Sequence, residues 1–349
     1  LESRRKVGTT PALGQFNVAV GFFRLAIKDV HPAADLDACL LQGASPGSSH
    51  STGADDNGSL HDAAGFTQTC ALVEDLAPNL PQRTTPFCQT RSVRVLTAQA
   101  YQSGGTPLHY DFLAPDSGSA LPWIVFLHGG GWVSGDRTMY YEEAEWFAQR
   151  GFATFCLSYR LAPLHPFPSA VADIKAALVH IRSRSDDLGL NPERGAAFGN
   201  SAGGHLSLMA SLPISGLENG EETVKAAVAL CPITDLRNPR ETHFPISFSF
   251  LEQFIPELDH PTGEAVLAQA SPIVHVDGLC SHLYLAHGSS DDIVPVKQSQ
   301  DFHKKAKAVG DGLGLEVVYR ELKGEGHSFT WNAWSSMRDE ALAFLKRRL

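Results

Sequence analysis

Several features are missing from this chain of 349 residues, and each absence excludes a class of protein. No apolar run approaches the roughly 18 residues of a membrane-spanning helix. The formal net charge is −10 at pH 7 and the Lys and Arg residues are scattered, so there is no basic patch of the kind that nucleic acids or anionic membranes require. We therefore expect neither a nucleic acid partner nor a membrane span.

Common metal-binding spacings are absent as well. The six cysteines contain no C-x-x-C pair and the 15 histidines show no H-E-x-x-H spacing, so we expect no metal and no cofactor. Cys156 and Cys231 lie within apolar runs and are predicted to be buried. A disulfide between two of the three N-terminal cysteines, Cys39, Cys70 and Cys88, is an open alternative. The compartment is open too, with a cytoplasmic location slightly favoured over secretion.

The hydrophobic fraction of 43% is typical of a globular protein with a sizeable core. Residues 1–90 show no pattern that assigns their role, which leaves a cap or a packing segment as alternatives for this N-terminal extension. From residue 91 onwards, short apolar strands alternate with helices, which predicts an α/β domain whose mostly parallel sheet carries helices on both faces. The alternation stops over an insert at 233–272, whose phenylalanines either line a pocket or pack the insert onto the domain.

The stretch Gly199-Asn200-Ser201-Ala202-Gly203 follows an apolar strand and precedes a helix of small residues. This G-x-S-x-G pattern predicts a tight strand-to-helix turn that exposes a serine hydroxyl above the sheet edge. We therefore expect Ser201 to be a nucleophile. The glycine-rich stretch 310–314 follows a predicted helix rather than a strand, so we expect a loop there and not a dinucleotide site.

A serine hydroxyl becomes an effective nucleophile when a base lies within hydrogen-bond reach and an anion orients that base. His327 lies near the C-terminus, and Asp291 and Asp292 follow a predicted strand at 281–286. The chain order Ser, Asp, His is that of an α/β-hydrolase triad. Local pattern alone does not choose between the two adjacent carboxylates.

A second group of residues provides backbone N–H donors. Gly130 and Gly131, within the run from His128 to Trp132, follow a buried strand and present amides without obstruction by a side chain. With the amide of Ala202 they form a predicted oxyanion hole, in which the loss of one donor typically costs about 3 to 4 kcal/mol of barrier. We expect His128 to stabilise this turn, because the base follows the acid in the chain order.

Together these motifs resemble the α/β-hydrolase superfamily, specifically the carboxylesterases of the hormone-sensitive-lipase-like and the feruloyl- and acetyl-xylan-esterase-like branches. The matching segments lie at 128–132, 159–163, 166–168, 199–204, 287–295 and 326–329. The resemblance covers residues 91–349 and implies the α/β-hydrolase fold, Asp291 as the triad acid, and Trp132 as a substrate contact. The family usually has Asp where Asn200 stands, and residues 1–90 match nothing in it.

The function that the resemblance implies is that of a serine carboxylesterase, which hydrolyses short-chain or aryl carboxylic esters through an acyl-enzyme intermediate. The partner is then a small-molecule ester. Two alternatives remain at this point, an amidase of the arylformamidase type and a non-catalytic binding protein with a hydrolase fold. The sequence does not predict an oligomeric state.

Overall fold

The computed structural model describes residues 92–349. The predicted N-terminal extension lies outside the described residues, as do Cys39, Cys70 and Cys88. The division of the chain into an extension and a catalytic domain at residue 91 therefore stays a prediction.

One sheet of eight strands organises the described part of the chain. Its strands are β1 Val93–Ser103, β2 Thr106–Pro115, β3 Leu121–Leu127, β4 Ala153–Leu157, β5 Leu190–Asn200, β6 Ala226–Leu230, β7 His282–Gly288 and β8 Val317–Leu322. Their spatial order is β1-β2-β4-β3-β5-β6-β7-β8. β2 runs antiparallel to β1 and β4, and every other neighbouring pair is parallel. The predicted mostly parallel sheet is thereby confirmed.

Helices cover both faces of this sheet. They are α1 Tyr141–Ala148, α2 Ser169–Ser183, α3 Ser185–Leu188, α4 Ala202–Ala210, α5 Pro239–Thr242, α6 Pro245–Phe254, α7 Gly263–Gln269, α8 Lys297–Leu313 and α9 Trp331–Arg348. One hydrophobic core packs α2, α4 and α8 against the sheet, and a second packs α1 and α9 against the other face. Burial on both faces explains why β4 and β6 are buried at every position and show no polar alternation, with Thr154 as their only polar residue. None of the described helices is long and apolar enough to cross a membrane.

The insert at 233–272 contains α5, α6 and α7 and no strand, as the break in the alternation predicts. The predicted loop at 310–314 is wrong, because α8 continues to Leu313. Gly310 is buried in this helix, where a Cβ would lie 2.8 Å from the side chain of Val317. Packing against β8 therefore outweighs the low helix propensity of glycine, which amounts to about 1 kcal/mol per residue. The helix ends at Gly314, whose φ of 70° is left-handed.

Close packing inside the sheet also explains a glycine in a buried strand. A Cβ at Gly195 in β5 would lie 2.2 Å from the ring of Trp123 in β3. Trp123 is fully buried and its indole N–H donates to Asn191 O at 3.0 Å, which holds the ring in place. The two strands reach their observed register because residue 195 has no side chain.

We predict that Gly195→Ala lowers the free energy of unfolding by about 1 to 3 kcal/mol, since the methyl group overpacks a rigid ring. Gly312→Ala is the matched control, because Gly312 lies in α8 with open space around the position of its Cβ. That change raises the free energy of unfolding by about 0.5 to 1 kcal/mol through helix propensity alone. Urea unfolding of both variants measures the difference. Equal effects of the two changes would contradict the packing argument.

Candidate active site

Ser201 occupies the turn between β5 and α4. Its backbone has φ 55° and ψ −123°, a conformation that residues other than glycine rarely adopt. Its amide donates to Leu230 O at 2.8 Å, which ties the turn to the carboxyl end of β6. The predicted strand-to-helix turn is therefore present, with Ser201 at its apex.

The glycines of the G-x-S-x-G pattern lie where the backbone of this turn approaches other chain segments. A Cβ at Gly199 would lie 2.5 Å from the backbone of Gly203, and one at Gly203 would lie 2.0 Å from Leu127 O. Both distances are shorter than any ordinary carbon contact, so these two positions exclude a side chain. The strained backbone of Ser201 is held by this close packing of β5, α4 and the end of β3.

Asp291 and His327 are in direct contact. Asp291 follows β7, and its Oδ2 lies 2.7 Å from His327 Nδ1. Its Oδ1 accepts from the amides of Ile293 at 2.9 Å and Val294 at 2.8 Å. The carboxylate is fully buried, whereas Asp292 is exposed. Of the two adjacent carboxylates, the one facing the histidine is Asp291.

A second histidine, His287, contacts the same carboxylate. Its Nε2 lies 3.1 Å from Asp291 Oδ2 and 3.0 Å from Val294 O. Both neighbours are acceptors, so Nε2 carries the ring proton, and Nδ1 accepts from the Ser299 hydroxyl at 2.7 Å. The sequence motifs gave His287 no role of its own. Its spacing of four residues was the available signal for this contact.

These contacts determine the charge of Asp291. Burial alone raises the pKa of a carboxyl group, but hydrogen bonds from His287 and His327 outweigh that effect and hold the pKa of Asp291 below its usual range. An ionised Asp291 accepts the Nδ1 proton of His327. In the neutral imidazole, Nε2 is then unprotonated and available as a base.

Cys231 connects the histidine loop to the serine turn. It follows Leu230, which accepts the Ser201 amide, and its thiol lies 3.8 Å from the carbonyl of His327. Burial, with the charge of Asp291, raises the pKa of Cys231, so the thiol stays protonated and acts as a donor. Within residues 92–349, Ser201 Oγ forms no hydrogen bond with His327. Such contacts often tighten only when substrate binds.

Cys231, His287 and Asp291 also offer ligand atoms within 4.8 Å of one another. Cys231 and Asp291 each form a hydrogen bond with His327, and His287 contacts Asp291 and Val294 O. We therefore assign the cluster to the orientation of His327 rather than to a metal.

The predicted oxyanion donors lie in the loop after β3 and at the start of α4. Gly130 and Gly131 have φ values of 110° and 61°, which favour glycine. In the described part of the chain, neither of their amides donates to a protein acceptor. Ala202 is the first residue of α4, where amide N–H groups have no acceptor within the helix. The three donors are therefore available to a ligand.

His128 and Trp132 flank these glycines. His128 is buried and stacks on Tyr159, whose hydroxyl donates to His128 O at 2.7 Å. Burial lowers the pKa of His128 to about 4, so it is neutral near pH 7. Trp132 is 2% exposed and stacks on Phe254 with ring centroids 4.2 Å apart. The stacking of Trp132 on Phe254 holds the end of helix α6 in place. The substrate contact expected of Trp132 stays a prediction.

A cavity of about 90 Å³ adjoins His327. It is lined by Glu142 and Glu143, by Asn200, Leu230, Cys231 and His327, and by Ser328, Phe329, Trp331 and Trp334. Burial raises the pKa of Glu143. The cavity therefore offers aromatic surface next to His327.

We predict that Ser201→Gly unfolds at a higher urea concentration than Ser201→Ala. Glycine relieves a backbone strain of about 1 to 3 kcal/mol, while its greater freedom in the unfolded chain costs about 0.5 to 1 kcal/mol. The expected difference is about 1 kcal/mol in favour of glycine. Both variants lack the hydroxyl, which isolates the backbone effect. A glycine variant less stable than the alanine variant would show that the turn stores no strain.

The chain is similar in sequence to proteins that are named as esterases. The chain is 32% identical to the esterase LipC of Mycobacterium tuberculosis over 60% of its own length and 53% of LipC. It is 28% identical to a probable carboxylic ester hydrolase, LipM, of the same organism over 66% of this chain and 55% of LipM. The chain thus spans about half the length of the curated relatives that it matches.

Solved structures of esterases share the fold. A thermophilic esterase from Thermogutta terrifontis with bound propionate superposes with a TM-score of 0.59 and 25% identity, over 75% of this chain and 96% of that protein. An esterase from Pyrobaculum calidifontis gives a TM-score of 0.61 and 24% identity, over 73% of this chain and 85% of that protein. The predicted α/β-hydrolase fold is confirmed.

The sequence profile of the BD-FAE family matches residues 111–306, which is more than half of the chain. The matched region contains the second half of β2, all of β3 to β7, the glycine loop, Ser201 and Asp291. The chain belongs to the BD-FAE family of α/β-hydrolases.

Proposed function

We propose that this protein is a serine carboxylesterase that hydrolyses short-chain or aryl carboxylic esters through an acyl-enzyme intermediate. One observation carries the proposal. Ser201 lies on a strained turn at the carboxyl end of the sheet, and His327 Nδ1 is 2.7 Å from the buried carboxylate of Asp291. That contact leaves the other ring nitrogen of His327 free to act as the base that a serine nucleophile needs.

The reaction follows from the positions of these groups. His327 Nε2 takes the proton of Ser201 as Oγ attacks the ester carbonyl, and the carbonyl oxygen becomes an oxyanion. The amides of Gly130, Gly131 and Ala202 stabilise that charge. The C–O bond to the alcohol then breaks as His327 returns the proton to the leaving oxygen. Water repeats the sequence on the acyl-enzyme, which releases the carboxylic acid and restores Ser201.

The relatives support the reaction class, since LipC is named an esterase and LipM a probable carboxylic ester hydrolase. Structures of the Thermogutta terrifontis esterase with propionate and with butyrate support the short acyl group. Both ligands are carboxylates of the size that hydrolysis of a short-chain ester releases.

We predict that Ser201→Ala lowers kcat on p-nitrophenyl acetate by about 10⁶, because the nucleophile of a comparable triad contributes that factor. Release of p-nitrophenol measures the loss. An organophosphate should react covalently with the wild-type enzyme and not with Ser201→Ala. Ser183→Ala is the control, since its exposed hydroxyl bonds only to His180 O. A folded Ser201→Ala variant that retains more than a few per cent of activity would overturn the assignment of the nucleophile.

We predict that Asp291→Asn lowers kcat by about 10⁴, because an amide holds the imidazole in the wrong tautomer. Asp292→Asn is the matched control, since it removes an adjacent exposed carboxylate with the same chemistry. It should change kcat by less than about twofold, within the range of an exposed charge. Assays at equal folded concentration compare the two. A larger loss in Asp292→Asn would reassign the acid by one residue.

A further inference from the structure

The side chain of Phe250 packs directly on the glycine loop. A Cβ added to Gly131 would lie 2.7 Å from Phe250 Cγ and 2.8 Å from its Cδ1. The ring therefore occupies the space beside Gly131, whose amide is one of the three oxyanion donors. Phe250 is half-buried, so part of its ring is accessible.

Helix α6 is anchored on both sides of Phe250. Towards its start, the Ser247 hydroxyl donates to Ile293 O at 2.7 Å, in the loop that follows Asp291. At its end, Phe254 stacks on Trp132, and its carbonyl accepts from the amide of Phe167 at 2.8 Å. The helix thus joins the loop of the acid to the loop of the oxyanion donors. These two attachments hold the Phe250 ring in a defined position.

The geometry of the reaction separates the two halves of an ester. In the tetrahedral intermediate the leaving oxygen lies within reach of His327, so the alcohol group lies on the His327 side of the reacting carbon. The oxyanion points at the amides of Gly130, Gly131 and Ala202. The acyl chain is the remaining substituent of the same carbon, and it extends away from His327.

From these positions we propose that Phe250 forms the wall of the acyl site and limits the length of the acyl chain. This inference rests on the proposed esterase function. A ring fixed against Gly131 leaves room for the first carbons of an acyl group and blocks longer ones. Each additional methylene that is denied burial forfeits about 0.8 kcal/mol of binding, close to fourfold in kcat/KM.

The test compares two ester series with the wild-type enzyme and Phe250→Ala. The first varies the acyl chain from acetate to octanoate with p-nitrophenol as the constant alcohol. The second varies the alcohol from ethyl to naphthyl with acetate as the constant acyl group. In Phe250→Ala we expect the octanoate-to-acetate ratio of kcat/KM to rise at least about tenfold, as several methylenes gain a site. The ratios within the alcohol series should stay within about twofold of wild type.

Phe248→Ala is the matched control, because Phe248 lies on the same helix with its ring 5.5 Å from the Arg240 guanidinium. It should leave both series unchanged. Phe250→Trp gives a test in the opposite direction, since a larger ring should lower the butyrate-to-acetate ratio. An unchanged acyl profile in both folded Phe250 variants, or a change confined to the alcohol series, would overturn the proposal.

The same assays distinguish this proposal from the proposed function. Loss of all hydrolysis in Ser201→Ala, together with an unchanged acyl profile in Phe250→Ala, would refute the role of Phe250 and leave the esterase mechanism standing. Hydrolysis that survives Ser201→Ala would refute the esterase mechanism itself, and the inference on Phe250 with it.

Discussion

The buried carboxylate of Asp291 is the group on which the geometry of the site depends. The backbone amides of Ile293 and Val294 donate to its Oδ1, and two histidines, His287 and His327, face its Oδ2. A charge without these partners would be costly to bury. With them, the carboxylate is ionised, it fixes the loop after β7, and it sets which nitrogen of His327 carries the proton.

A second constraint is close packing at the carboxyl edge of the sheet. Gly199 and Gly203 bring the serine turn against the end of β3, from which the glycine loop continues. Phe254 stacks on Trp132, and this contact holds the insert against that loop. Ser201, the glycine loop and the helix that carries Phe250 are thus parts of one packed unit, so their relative positions are fixed before substrate binds.

The sequence was sufficient to predict the parallel sheet and the serine turn, because each depends on a local pattern, and the family resemblance chose Asp291 as the carboxylate that faces His327. The catalytic roles of Ser201, Asp291 and His327 stay predictions. The Phe250–Gly131 contact joins segments far apart in the chain, and no local pattern encodes it. His287 lies only four residues before Asp291, but the contact between their side chains depends on the conformation of the loop after β7. The helical conformation at Gly310 was not predicted, for a related reason. The glycines at 310–314 favoured a loop, whereas the packing of Gly310 against Val317 in β8 stabilises the helix.

The protonation state of His327 is the most direct test of this account. Proton–nitrogen NMR of protein labelled with ¹⁵N-histidine identifies the tautomer of each neutral imidazole, and the spectrum of His327→Gln assigns the resonance. The account predicts that the neutral imidazole of His327 carries its proton on Nδ1, shared with Asp291 Oδ2 across 2.7 Å. In Asp291→Asn that proton should move to Nε2. A wild-type His327 protonated on Nε2 alone would contradict the proposed role of Asp291 and the mechanism built on it.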